Sequence, residues 1–264
     1  MLELINVTKT FHKGSIDEKI ALNQLNFTLR DGEFVTVIGS NGAGKSTMQN
    51  AICGSWLPDS GKILLDGTDI TLLPEHRRAK YLGRVYQDPM MGTAANMQIE
   101  ENLALAARRG KKKSLLPLIR KGEREQYVKL LSRLGLGLEN RLSAKVGTLS
   151  GGQRQALTLL MATMQHPNLL LLDEHTAALD PKTAAKVMEL TESLVHENNI
   201  STLMITHNMK DAIRYGDRLI MLHAGKIILD VSGEEKKNLT VPDLLAKFSE
   251  AAGEEFAGDK AILS

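Results

Sequence analysis

An α/β fold is predicted, in which a parallel sheet covered by helices follows a small antiparallel β region and is interrupted by an all-helical insertion. Three observations predict it. Residues 2–38 read as strands, the last of which runs straight into a glycine-rich loop and a helix. From about Pro89 to Gly147 strand signals give way to helical patterns. Beyond Gly151, helices alternate with short apolar strands, and that order implies parallel pairing under a helical cover.

Taken in order, "LELINVT" and "ALNQLNFTLR" alternate apolar and polar residues, the pattern of a half-solvated antiparallel sheet. "EFVTVIG" is nearly continuous apolar and belongs inside. "STMQNAICG" reads as a helix stopped by Gly54. "KILLDGTDI" carries an Asp66–Gly67 turn between apolar runs, a hairpin signal. "IEENLALAARR" and "REQYVKLLSRLGL" supply the helical insertion. After it come helix "GGQRQALTLLMATMQ", strand "LLLLDE", helix "DPKTAAKVMELTESLVHEN", strand "STLMITH" and hairpin "RLIMLHAGKIIL". Asp180 and Pro181 suit the cap and first turn of the second of these helices. The tail holds one short helix, "TVPDLLAKFSE", with Thr240 as its cap. The expected organisation is one domain over 1–264. Its core is 1–88 and 150–235, its helical subdomain 89–149, and 236–264 a short C-terminal helix and tail.

Composition narrows the function. With 42% apolar and 24% charged residues, the 264-residue chain resembles an ordinary soluble globular protein. Its 33 basic and 31 acidic residues leave a formal charge of +2, so no nucleic-acid partner is expected. Cys53 is the single cysteine, which excludes an internal disulfide or a cysteine zinc cluster and reads as a small buried hydrophobe. The start lacks a signal peptide's apolar core, and no run reaches the roughly 18 apolar residues of a spanning helix. The chain is expected in the cytosol, or held to a membrane by something else. The basic run Arg108, Arg109, Lys111, Lys112 and Lys113 reads either as a solvated loop or as a patch facing anionic headgroups.

"GSNGAGKST" comprises Gly39, Ser40, Asn41, Gly42, Ala43, Gly44, Lys45, Ser46 and Thr47, and matches G-x-x-x-x-G-K-[ST]. At average composition a chance match in a chain this long has odds of roughly 1 in 100, and its place between a buried strand and a helix lowers them further. The glycines let backbone N–H groups turn inward around phosphates. Lys45 reaches the terminal phosphates and Ser46 offers its hydroxyl to Mg²⁺. This is a nucleotide site. "LLLLDE" is its companion, a buried strand delivering Asp173 and Glu174 at its carboxyl end. Asp173 is suited to the Mg²⁺ shell, and Glu174 to orienting or deprotonating the attacking water.

A second anion loop, "TLSGGQRQA", opens another helix. The string "LSGGQ" has chance odds of roughly 1 in 3,000. With both loops present, the chain resembles the nucleotide-binding subunits of the ATP-binding cassette (ABC) family over nearly its whole length. The resemblance implies a P-loop NTPase core with ATP and Mg²⁺ as cofactors. It assigns Phe11 to stacking on adenine and Gln87, in "RVYQDP", to the Mg²⁺ site and the junction between core and helical subdomain. It matches "AALD", Ala177 to Asp180, to the loop after the catalytic Glu174, and His207, in "MITHNM", to the switch histidine. It places Ser46, Gln87 and Asp173 around Mg²⁺. Two copies are then expected to pair head to tail. The Gly39–Thr47 loop of one binds ATP, while Leu149, Ser150, Gly151, Gly152 and Gln153 of the other close over the γ-phosphate.

Two departures stand beside the matches. Ala156 and Met161 occupy positions where many members carry arginines, and His175 follows Glu174 where proline is common. Neither removes a ligand to ATP or Mg²⁺. "QDPMMGTAANMQIEENLALA" and "DEHTAALDP" resemble a branch of bacterial uptake systems, some associated with amino acids, aromatic ones included.

The leading reading is therefore the ATPase subunit of a bacterial importer, peripheral on the cytoplasmic face of the membrane. It borrows its membrane span from integral permease subunits and works with an extracytoplasmic substrate-binding protein. The groove around Gln87 to Thr93 is expected to receive a short permease helix. A soluble ATPase of the iron–sulfur assembly type and an exporter subunit remain as alternatives. A non-hydrolysing ATP-gated scaffold would lack Glu174 or His207, and both are present.

Overall fold

Residues 1–111 and 117–252 are described by the structure, a computed structural model. They fall into two units, Met1–Arg78 joined by the chain from Ser201 onward, and Ala79–Ile200.

The first unit begins with strands β1 (Leu2–Phe11) and β2 (Lys19–Leu29), paired antiparallel as their alternation predicts. Leu2 and Leu4 point inward, then the phase slips at Asn6, whose φ of 50° marks a bulge, and Val7 returns to the core. In unbroken alternation through Asn6, Val7 would face solvent. Asn6 and Asn26 close the irregularity, Asn26 Nδ2 donating to Asn6 Oδ1 and the Asn6 N–H to Asn26 Oδ1, each at 2.9 Å. Strand β3 (Phe34–Gly39) is buried at every position and leads through the glycine loop into helix α1 (Lys45–Cys53). The left-handed Gly54 ends α1, as its sequence predicts, and Cys53 is buried. Strand β4 (Ser60–Leu65) lies on the other side of β1, and the left-handed pair Asp66 and Gly67 turns the chain into β5 (Thr68–Asp69).

Helix α2 (Glu75–Arg78) follows, and its last residue is the largest fully buried side chain among the described residues. Among the described residues the Arg78 guanidinium makes no salt bridge. It donates to the carbonyls of Ala51 (2.7 Å) and Ile52 (2.8 Å) in the last turn of α1, and to Thr71 (2.8 Å) and Leu73 (2.7 Å). A cation among orphan carbonyls at the negative end of a helix is favourably placed.

In the second unit, β6 (Leu82–Val85) precedes three helices, α3 (Ile99–Ala106), α4 (Glu123–Ser132) and α5 (Gly151–Thr163). Then come β7 (Leu169–Asp173), parallel to β6, and α6 (Pro181–Asn198). Gln98 and Glu101 cap α3 reciprocally, and Asp180 Oδ1 accepts from the Thr183 N–H at the start of α6. The helices bury a common apolar cluster that includes Ile99, Leu103, Leu131, Leu138, Leu157 and Leu160. Each such side chain contributes about 1.5–3 kcal/mol relative to exposure. Arg108 pairs with Glu123 at 3.1 Å, and Arg109 donates to the Ala162 carbonyl at 2.9 Å. Neither reading of the basic run fits these two, which are consumed internally. Lys112 and Lys113 lie outside the described residues.

The chain returns to the first unit through β8 (Ser201–Ile205), α7 (Met209–Arg214), β9 (Arg218–His223), β10 (Lys226–Ser232), α8 (Gly233–Lys237) and α9 (Val241–Ala252). Strand β3 lies between β8 and β9, parallel to both, which is why it reads as unbroken apolar sequence. Its one polar residue, Thr36, donates to the Ala212 carbonyl at 2.9 Å. The β9–β10 hairpin turns at Ala224 and Gly225, both left-handed. Thr240 caps α9 through a reciprocal pair with Asp243. Among the described residues no helix is long and apolar enough to cross a membrane.

Candidate functional site

The glycine loop is braced by β2 and by the β9–β10 turn. Gly44, at φ 108°, opens α1, and a methyl group there would lie 2.5 Å from the Ala21 carbonyl oxygen on β2. Only glycine fits that backbone and that space. The β9–β10 turn supports the loop as well, since the Gly225 N–H donates to the Ala43 carbonyl at 2.9 Å and the Asn23 N–H to the Gly225 carbonyl at 3.0 Å. Lys45 is 5% exposed, and its ammonium donates to the carbonyls of Gly39 (2.6 Å) and Ser40 (3.0 Å). A buried cation and a helix N-terminus, in a loop of glycines, are the chemistry of an anion site. Ser46 is exposed in the first turn of α1, and Thr47 is buried behind it. Asn41 and Gly42 form the exposed rim of the loop.

Beside the loop, at the end of β1, Phe11 meets Trp56 edge to face with ring centroids 4.9 Å apart. Its register partner across the strand pair is Lys19. The Lys19 ammonium reaches the rim, where a methyl group on Gly42 would lie 2.7 Å from Nζ. His207 follows β8 in the same unit, half-buried, ahead of the turn in which Asn208 caps α7.

In the second unit, β7 ends at Asp173, half-buried, with its carboxylate 3.7 Å from the Arg84 guanidinium of β6. Glu174 leaves the strand with φ 46°, a left-handed conformation uncommon for a non-glycine residue and often found where a side chain is aimed for function. His175 is 2% exposed and its Nε2 sits 3.0 Å from Thr191 Oγ1 on α6. That hydroxyl already donates to the Val187 carbonyl at 2.8 Å, so it accepts from the imidazole. Burial pushes the His175 pKa down to about 4, and the ring is neutral. Gln87 is exposed in the turn after β6, where the Gln155 amide donates to the neighbouring Tyr86 carbonyl at 3.1 Å.

The second loop shows a complete capping box. Ser150 Oγ accepts from the Gln153 N–H, and Gln153 Oε1 accepts from the Ser150 N–H. The hydroxyl proton of Ser150 and the N–H groups of Gly151 and Gly152 are left for an anion at the mouth of α5. Leu149 is buried and anchors the turn. A methyl group on Gly152 would lie 2.1 Å from Thr183 Cγ2 on α6. Ala156 is fully buried in the helical cluster and Met161 packs against it, so the two arginine positions are spent here on apolar packing.

Phe11, the Gly39–Thr47 loop and His207 thus belong to the first unit, and Gln87, Asp173, Glu174 and the Leu149–Gln153 loop to the second. Three residues passed unnoticed in the sequence. Arg84 had a signal in its place three residues before Gln87. Arg78 had none, because a lone arginine in a short polar stretch reads as surface. Lys19 is significant only once the β1–β2 register is known.

The family model described as ABC transporter matches residues 22–177. The chain is 49% identical to the tyrosine transport ATP-binding protein of Clostridioides difficile (strain R20291), covering 95% of this chain and 100% of that one. It is 35% identical to the phosphonates import ATP-binding protein PhnC 1 of Ruegeria sp. (strain TM1040), covering 87% and 88%. Among solved structures it is similar to the ADP conformation of the cassette MJ1267, with a TM-score of 0.78 and 27% identity over 94% of this chain and 98% of that one. It is also similar to the dimeric post-hydrolysis state of the cassette MJ0796 bound to ADP and Pi, with a TM-score of 0.73 and 30% identity over 88% and 98%.

Proposed function

The chain belongs to the ABC transporter family, and from that footing we propose that it is the ATP-hydrolysing subunit of a bacterial amino-acid importer, with tyrosine as the first candidate cargo. The observation that carries the ATPase reading is the braced glycine loop, with Lys45 held at its centre. The full-length likeness to a tyrosine transport protein supports the cargo.

On this reading the Gly39–Thr47 loop cradles the phosphates, Lys45 exchanging its two carbonyl partners for phosphate oxygens, and Phe11 takes the base. Ser46, Gln87 and Asp173 supply a hydroxyl, an amide and a carboxylate oxygen, a donor set suited to Mg²⁺. Bound with ATP, Mg²⁺ would neutralise charge on the terminal phosphates. Glu174 accepts the proton of the attacking water, and His207 contributes to the γ-phosphate site. Leu149–Gln153 of a second copy closes over that phosphate, so hydrolysis removes an anion the dimer interface needs. The core is assigned to 1–88 and 150–235, the helical subdomain to 89–149, and the short C-terminal helix and tail to 236–264. Met90 and Met91, both exposed in the loop after Gln87, offer apolar adaptable surface for a permease helix. Partners are integral permease subunits and an extracytoplasmic binding protein, with the chain on the cytoplasmic face of the membrane.

The test is purification of the tagged chain from its native cells in mild detergent, with its partners identified by mass spectrometry. A co-purifying permease whose ATPase rises with tyrosine-loaded binding protein is expected. Recovery without a membrane partner overturns the transporter reading, and stimulation by another solute overturns the cargo.

A further inference from the structure

The Lys19 ammonium has no hydrogen bond or ion pair to a protein partner among the described residues. Neighbouring Lys9, by contrast, pairs with Asp59 at 3.1 Å. The Lys19 ammonium instead lies against the rim of an already electropositive loop, close enough that a methyl group on Gly42 would be 2.7 Å from Nζ and 3.7 Å from Cε. An ammonium held at the rim of a loop that opens a helix N-terminus stands where an anion bound in that loop would meet it. Register fixes where along the ligand it would act. Lys19 pairs directly with Phe11 across β1 and β2, so it stands between the ring assigned to the base and the loop assigned to the phosphates.

We propose that Lys19 is an additional nucleotide-binding residue, its ammonium pairing with the phosphate nearest the ribose. The inference rests on the reading of Phe11 and the glycine loop given above. Lys45 is buried and serves the terminal phosphates, whereas Lys19 is exposed and sits on a strand edge. Its contribution is therefore screened by salt and modest in size. Any nucleotide with one phosphate gains from it, and a nucleoside does not.

Calorimetric titration of the full chain with ATP, ADP, AMP and adenosine tests this, comparing wild type with Lys19→Met, Lys19→Arg and Lys45→Ala. Lys19→Met is expected to lose roughly two- to fivefold in affinity for ATP, ADP and AMP at low salt. Adenosine affinity stays unchanged, Lys19→Arg recovers most of the loss, and the wild-type advantage shrinks as NaCl rises. Unchanged affinity across the phosphate series overturns the proposal. So does an equal loss for adenosine, which would mark a damaged strand rather than a lost charge. A Lys45→Ala variant that binds ATP as wild type does would instead overturn the loop reading beneath it.

Discussion

Replacing Gly152 by Ala tests whether the mouth of α5 is set by its packing on α6. Gly152 is not among the left-handed glycines, so its backbone raises no objection to a side chain. The objection is Thr183 Cγ2, 2.1 Å from where the new methyl group would sit. Carbon atoms rest about 3.5–4.0 Å apart, so the overlap exceeds an ångström. Thr183 can relieve it by leaving its rotamer, at roughly 0.5–1.5 kcal/mol, or the two helix ends can part, an overpacking cost of about 1–3 kcal/mol. Alanine's better helix propensity returns at most about 1 kcal/mol. Strain wins, by about 1–2 kcal/mol, and in a chain of this size that lowers Tm by about 2–6 °C. The displaced N–H groups of Gly151 and Gly152 also cost ATPase activity. Thr183→Ser removes the offending methyl, and the hydroxyl position at 3.9 Å is ordinary contact. The double variant should therefore recover both Tm and turnover, a coupling of about 1 kcal/mol or more. Circular dichroism melts and a phosphate-release assay read the cycle. A Gly152→Ala protein as stable and active as wild type, or a double variant with no recovery, refutes the steric reasoning.

Glu174→Gln keeps the side chain's size and removes the proton acceptor. ATP binding should persist while hydrolysis falls by about 100-fold or more, and gel filtration in ATP should show a trapped dimer; undiminished turnover would remove Glu174 from the role of base. Arg78→Met strips donors from four carbonyls in a fully buried site, a loss of about 3–5 kcal/mol readable in urea denaturation. His175 is neutral when folded, with its pKa lowered by burial from 6.5 to about 4. Its contribution to stability is complete above the unfolded value and is lost as pH falls from 6.5 towards 4, by up to about 3 kcal/mol. Urea midpoints of the nucleotide-free protein should fall across that window, and less so in His175→Gln; parallel pH profiles would contradict the assignment.

What could be read in the sequence was whatever depends on local spacing. The two glycine-rich helix openings, the buried β3, the two hairpins and the Asp180 cap are encoded within a dozen residues each, and the structure has them where the pattern puts them. Features that depend on register or on burial of an unexpected type stayed hidden. The bulge at Asn6 changes which residues of β1 face inward, yet nothing in "LELINVT" announces it. Helices α7 and α8 are too short to develop a periodicity. Arg78 and His175 are polar residues buried whole, against the tendency of their types, and only the surrounding carbonyls and Thr191 make sense of them. The same holds for the site. Phe11, Lys45, Asp173 and Glu174 stood out by motif, whereas Lys19 acquires meaning from a cross-strand pairing.

Trp56 is the single tryptophan of the chain, and it rests edge to face against Phe11, the ring proposed to take the base. Its emission is therefore a native optical gauge placed beside the proposed base-binding ring. Arrival and departure of nucleotide can be timed in a stopped-flow instrument with no dye attached and no second indole to confuse the signal. The molecule carries its own stopwatch for the proposed binding of nucleotide.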